Sequence, residues 1–140
     1  MSTFKRFSRE ISKFAKNLTD VELVLFHKKV SFEAFSRIVQ KTPVDTGRAR
    51  GNWQITIGVP AENIREDFSS ALDALGTAQN DAAIERALGA LGDLKAFQVV
   101  YISNNVAYIT FLEEGSSKQA PRGMVAETFE ELLQIFPGAT

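Results

Sequence analysis

Few residues in this sequence could do chemistry. The 140 residues include one histidine and no cysteine, which removes disulfides, thiolate metal sites and cysteine nucleophiles. His27 stands beside Lys28 and Lys29 inside a helical pattern. A catalytic triad needs a base next to a nucleophile and an orienting acid, so this histidine reads as an ordinary surface or boundary residue. A metal site with one His would need carboxylates to converge on it, and the acids near loops are Asp45, Glu113 and Glu114. Glycoside hydrolysis places two carboxylates on opposite sides of one bond. Adjacent residues on a strand point to opposite faces of the sheet, so Glu113 and Glu114 are not expected to flank one substrate. The stretch "GRARG" lacks the spacing and the Lys-Ser/Thr of a phosphate loop. The expectation is a protein with no catalytic, metal or cofactor site.

Charge points toward partners. Residues 1–50 hold eleven Lys/Arg against five Asp/Glu, a net of +6, while residues 51–140 hold five against twelve, a net of −7. Such a split suits a nucleic-acid surface on the basic half, complementary surfaces meeting in an oligomer, or simply two solvated faces. Lys28, Lys29, Lys41, Arg48 and Arg50 are the candidate phosphate contacts. Base stacking needs exposed aromatics, and most of the 11 Phe fall on apolar stripes that read as core. No apolar run approaches a membrane span. The N-terminus lacks the apolar region of a signal peptide, so synthesis in the cytoplasm is expected.

These residues must be positioned by elements that periodicity outlines within a single domain, 1–140. Phe4, Phe7, Ile11, Phe14 and Leu18 recur at helical spacing. Thr19 and Glu22 form a capping-box pattern that starts a second helix, with Val21, Leu25, Phe32, Phe35, Ile38 and Val39 on its apolar face. Pro43 stops it, which closes the helical region 1–42. In residues 43–59 a corner leads into "NWQITIGV", where Trp53, Ile55, Ile57 and Val59 alternate as in a strand. Residues 60–95 read as a helical hairpin inserted between strands, with Phe68, Ala71, Leu72 and Leu75 on one stripe and Ile84, Ala87, Leu88 and Leu91 on the other. "FQVVYIS" and "VAYITFL" flank Asn104-Asn105, so residues 96–113 read as a β-hairpin. A loop covers 114–123, and a last helix, 124–136, carries Val125, Phe129, Leu132, Leu133 and Phe136 before Pro137 and Gly138. The fold class expected is α+β: a mostly antiparallel sheet of three to four strands against N- and C-terminal helices.

The corner "TPVDTGRARGNW" needs no ligand to be explained. Pro43 ends a helix, Asp45 and Thr46 bond to nearby backbone, and Gly47 permits a left-handed turn. Yet "PVDTGRARGNW", "YISNNVAYITFLEEGSS" and "QAPRGMVAETFEEL", in that order, resemble the neck or tail-completion (minor tail component) proteins of long-tailed bacteriophages. The three blocks cover roughly half the chain. Ile109, where the family often has Ala, and Glu114, where an aromatic or Asn is common, depart from the pattern, and the segment 60–95 is poorly specified in it. The resemblance implies a virion protein that completes the tail or joins it to the head. Its implied partners are the tail terminator, the head-closure ring and the tail tube, in a homo-oligomeric ring matched to a sixfold tail. The basic half would face a neighbouring subunit or DNA in the lumen.

The motif positions implied are Pro43, Asp45, Thr46, Gly47, Arg48, Trp53, Asn104, Tyr108, Glu113, Gly115, Gln119, Pro121, Gly123 and Met124. Arg48 would reach a carboxylate, Glu113 or Glu114, or a neighbouring subunit. Trp53 would anchor the core or an interface, and residues 119–124 would dock a partner or cap the last helix. The rival virion role is the tail terminator. The rival from another class is a small cytoplasmic nucleic-acid-binding protein using the basic half.

Overall fold

A computed structural model describes residues 2–43, 48–65, 77–115 and 123–136. Among these the order is α1 (Thr3–Ala15), α2 (Asp20–Lys41), α3 (Arg48–Gly51), β1 (Gln54–Ile57), α4 (Thr77–Leu91), β2 (Val100–Ser103), α5 (Ile109–Glu113) and α6 (Val125–Ile135). The capping box at Thr19 is present: the Thr19 hydroxyl accepts from Glu22 N at 3.2 Å and the Glu22 carboxylate accepts from Thr19 N at 3.1 Å. Ser2 caps α1 in the same way, its Oγ accepting from Lys5 N at 3.1 Å.

The expected sheet is corrected. Among the described residues 61% are helical and 7% are in strands, with one two-stranded antiparallel sheet instead of three or four strands. β1 pairs with β2 from Gln54↔Ser103 to Ile57↔Val100. "VAYITFL" is not a hairpin strand; α5 lies within it. Its inward residues are Val106, Ile109 and Leu112, which recur every third position. A helical turn carries these three inward together, whereas a strand would put Ile109 on the face opposite Val106 and Leu112. Asn104 and Asn105 also turn the chain out of the sheet rather than back along it. Asn104 Oδ1 accepts from Val106 N at 3.1 Å, and Asn105 Nδ2 donates to Ala61 O at 2.9 Å. The local bond of Asn104 and the distant one of Asn105 both compete with a ladder and win.

The described helix of the inserted segment is part of the core. α4 begins at Thr77, so the polar "TAQND" is helical, and Ala83, Ala87 and Leu91 are buried against Phe35, Ile38 and Trp53. Leu88 points outward. The companion stripe at Phe68–Leu75 lies outside the described residues.

α2 separates two apolar clusters. Phe35, Ile38 and Val39 join the cluster with Trp53, Ile55, α4 and Met124. Ala34 joins a second with Phe7, Leu132 and Phe136, against which Phe26 and Val30 pack. Aromatic edges stitch the second cluster: Phe7 and Phe129 centroids are 5.3 Å apart, and Phe26 and Phe136 5.8 Å. The expected apolar face of α2 is therefore corrected at its start, since Val21 and Leu25 are exposed. The turn before β2 holds the one non-glycine residue with positive φ among those described, Phe97 at 67°. That conformation costs on the order of 1 kcal/mol or more for a residue with a Cβ.

Candidate interface site at the Trp53 corner

The corner expected from "TPVDTGRARGNW" is a cage of side chains holding main-chain carbonyls. α2 ends with its last carbonyls unpaired, as every helix does. Arg50 is buried and supplies the donors: its Nε reaches Thr42 O at 3.1 Å, and one Nη reaches Thr42 O at 2.8 Å and Gln40 O at 3.0 Å. A cation at a helix C-terminus also opposes the macrodipole favourably. Trp53 is a buried core anchor whose Nε1 donates to Thr42 Oγ1 at 2.7 Å, while that hydroxyl donates to Ile38 O at 2.7 Å. Pro43 is buried beside them.

Asn52 is fully buried and ties two segments together. Its amide nitrogen donates to Arg48 O at 2.8 Å and Arg65 O at 3.1 Å, and its oxygen accepts from Arg65 N. Arg86 on α4 donates to Gly51 O at 3.1 Å and Trp53 O at 3.3 Å. Asn104 Nδ2 donates to Ala49 O at 2.8 Å. Each of these bonds satisfies a backbone carbonyl, or in the case of Arg65 N a backbone donor, that would be costly to leave unpaired.

The third block joins through Glu113. Its carboxylate accepts from Met124 N at 2.9 Å, Val125 N at 2.8 Å and Ala126 N at 3.0 Å. Those are the orphan donors of α6, capped here by a side chain eleven residues upstream of Met124. Gly123 makes the approach feasible: φ is +80°, and a Cβ there would collide with the Glu113 carbonyl and carboxylate. Gly115 closes α5 with φ 88°. Met124 is fully buried in the cluster around Trp53.

The motif positions thus divide. Pro43, Arg48, Trp53, Asn104, Glu113, Gly123 and Met124 belong to one connected framework. Tyr108 lies on the outer side of α5. Asp45, Thr46, Gly47, Gln119 and Pro121 lie outside the described residues. The carboxylate expected to meet Arg48 sits on the first turn of α6, and Arg48 itself is half-buried where α3 begins. Asn52, Arg50 and Arg86 are core polar residues that periodicity alone does not reveal. The signal for Asn52 is its place beside the Trp, where an alternating strand should begin.

The chemistry available is narrow. Among the described residues no group of His, Cys, Asp and Glu could hold a metal ion. Glu113 and Glu114 stay apart, for a different reason than strand alternation: they end a helical turn, one facing α6 and the other solvent. His27 is half-buried, and burial holds its pKa below the ordinary value of 6.5. Two of the candidate phosphate-binding cations are committed internally. Arg50 holds α2, and Lys41 Nζ lies 2.7 Å from Glu131 Oε1, which Arg37 also meets at 2.7 Å. Burial pushes the Glu131 carboxyl up, but the hydrogen bonds and charges of Lys41 and Arg37 outweigh it and hold it below the ordinary range. No helix among the described residues is long and apolar enough to cross a membrane.

Comparison of the chain with protein-family models, with curated proteins and with solved structures gives no match.

Proposed function

We propose that this chain is a structural virion protein of a long-tailed phage, acting at the head–tail neck to complete the tail or join it to the head. The observation that carries the reading is convergence. The first block (43–53) lies far along the chain from the neighbouring second and third (101–117 and 119–132), yet Asn104 holds Ala49 across that separation while Glu113 holds the start of α6. A motif whose members hold one another's backbone serves architecture, not turnover. The ring, its neck and tail partners and the absence of catalysis belong to the same proposal.

Electron microscopy of phage produced without this protein tests it. Filled heads and free tails left unjoined are the expected outcome; tails of abnormal length would assign the terminator role instead. Normal infectious particles would refute the proposal.

A second reading, nucleic-acid binding, draws on α1, where Lys5, Arg6, Arg9, Lys13 and Lys16 are all exposed. It requires duplex DNA binding that weakens steeply with salt. Absence of binding at low salt would remove it.

A further inference from the structure

α1 is attached to the molecule by apolar contacts alone. Phe4 and Phe7 each meet Phe129 of α6 edge-on, with ring centroids 5.3 Å apart, and Phe14 meets Phe26 of α2 at 4.7 Å. Phe7 is buried with Ala34, Leu132 and Phe136. Among the described residues no hydrogen bond or ion pair joins this helix to another element. Ser2 caps it from its own start, and Arg9 and Lys13 meet Glu10 on the helix itself.

The neighbouring helices are finished without it. α2 starts at its own Thr19–Glu22 box. α6 is capped by Glu113 and tied to α2 through Glu131 with Arg37 and Lys41. Departure of α1 therefore unravels neither. The seat is also incompletely filled. Hollows of about 330 and 300 Å³, each lined by Ile11 of α1 and Val30 of α2, flank the contact, and another of about 400 Å³ lies past Val21 and Leu25. A link of four residues, Lys16 to Thr19, limits where α1 can settle. An arm from a second copy is free of that tether. With 13 residues, α1 is at a length where an isolated helix is marginal in water, so it needs a seat on one copy or another.

We infer that α1 is an exchangeable arm, which leaves its own α6 and seats on α6 and α2 of a second copy through the same Phe4, Phe7 and Phe14 contacts. The partner follows from the fit: the surface bared by one α1 is the surface that another α1 matches. Exchange remakes each contact that it breaks, which makes it a low-cost route to assembly. Arms returned between two copies make a pair. Arms passed from each copy to the next close a ring or extend a filament according to the rotation. In a ring the arm is the subunit contact for the proposed function, but nothing in the exchange depends on the neck role.

The link provides the test. Deleting Lys16, Asn17 and Leu18 leaves Thr19 alone between the helices, short of the roughly two to five residues that let one helix fold back on another. α1 then reaches only the seat of another copy. The shortened chain is expected to assemble, with α1 amides as protected from hydrogen exchange as in wild type. A single chain with unprotected α1 amides overturns the exchange. Adding Phe7→Asp to the shortened chain lowers the assembled fraction about tenfold or more, because it spoils a buried aromatic anchor. An assembly that survives comes from the bared face of α6 rather than from the arm, and also overturns it. With the link intact, a Phe7→Asp chain keeps its seat and a Phe129→Asp chain keeps its arm. Mixed, they form a pair that neither forms alone, measured by light scattering; two single chains in the mixture count against the arm. Phe7→Ser and Phe129→Ser replace them where melting shows that the aspartates unfold the chain. Unjoined tails with no exchange retain the neck role and reject the arm; exchange with normal particles does the reverse.

Discussion

At its C-terminal end α2 meets a cage of polar side chains: Arg50 and Thr42 hold its last carbonyls, the Trp53 indole donates to the Thr42 hydroxyl, and Asn52 and Arg86 hold the carbonyls of Arg48 and Gly51 in the corner that follows. At its N-terminal end the same helix is capped by a local Thr19–Glu22 pair and then exposes Val21 and Leu25 beside two hollows. One end is closed by directional bonds that fix a single geometry. The other is apolar, non-directional and incomplete. Directional bonds suit a framework that must not move, and an unfilled apolar face suits a surface that waits for something.

The comparison breaks first at Trp53. Trp53→Ala removes the largest side chain of the closed end, with an expected loss of about 3–5 kcal/mol. Chemical denaturation measures it, with Trp53→Phe as the milder variant that keeps a ring and removes only the indole's hydrogen bond to the Thr42 hydroxyl. A loss below about 1 kcal/mol would show that the corner is not the stable end. Next in size is Glu113→Ala, which leaves three α6 donors without their acceptor and costs about 2 kcal/mol; hydrogen exchange at Met124, Val125 and Ala126 should quicken with it.

Two pH effects sharpen the contrast. Glu131 has a depressed folded pKa, so its contribution is present above the ordinary carboxylate value and is lost as pH falls through the folded one. The pair is partly solvated, so Glu131→Gln should flatten acid stability by no more than about 1 kcal/mol. His27 faces the open end and its folded pKa is also depressed. The unfolded chain then binds the extra proton, so stability is full above pH 6.5 and falls as pH drops below it. His27→Leu should remove that fall, seen as melting temperatures that stay level just below pH 6.5 and decline only where the carboxylates titrate. The smallest effect belongs to Leu25→Ser, within about 0.5 kcal/mol of wild type. A larger loss would mean that the open end already contributes to the isolated fold.

Legibility from sequence followed the same division. Local signals survived: the Thr19–Glu22 box, the stripe of α1, the alternation into β1 and the stripe of α6 all describe elements that are present. The failures came where distant bonds outvoted local preference. "VAYITFL" has strand-forming residues, but Asn104 is held by Ala49 and Glu113 by α6, so the segment closes as a turn of helix. The segment that holds α4 reads as a helical insert between strands; Ala83 and Ala87 place it in one buried cluster with Phe35 and Trp53. Of the corner, Trp53 and Pro43 were readable as structural, whereas Asn52 and Arg50 look like surface residues until the carbonyls they hold are seen.

The Glu113 clasp makes one helix depend on another. The first donors of α6 are held by a carboxylate at the end of α5, and Gly123 rests against that same residue. α5 and the first turn of α6 therefore act as a single lever: a displacement of either passes to the other through three hydrogen bonds.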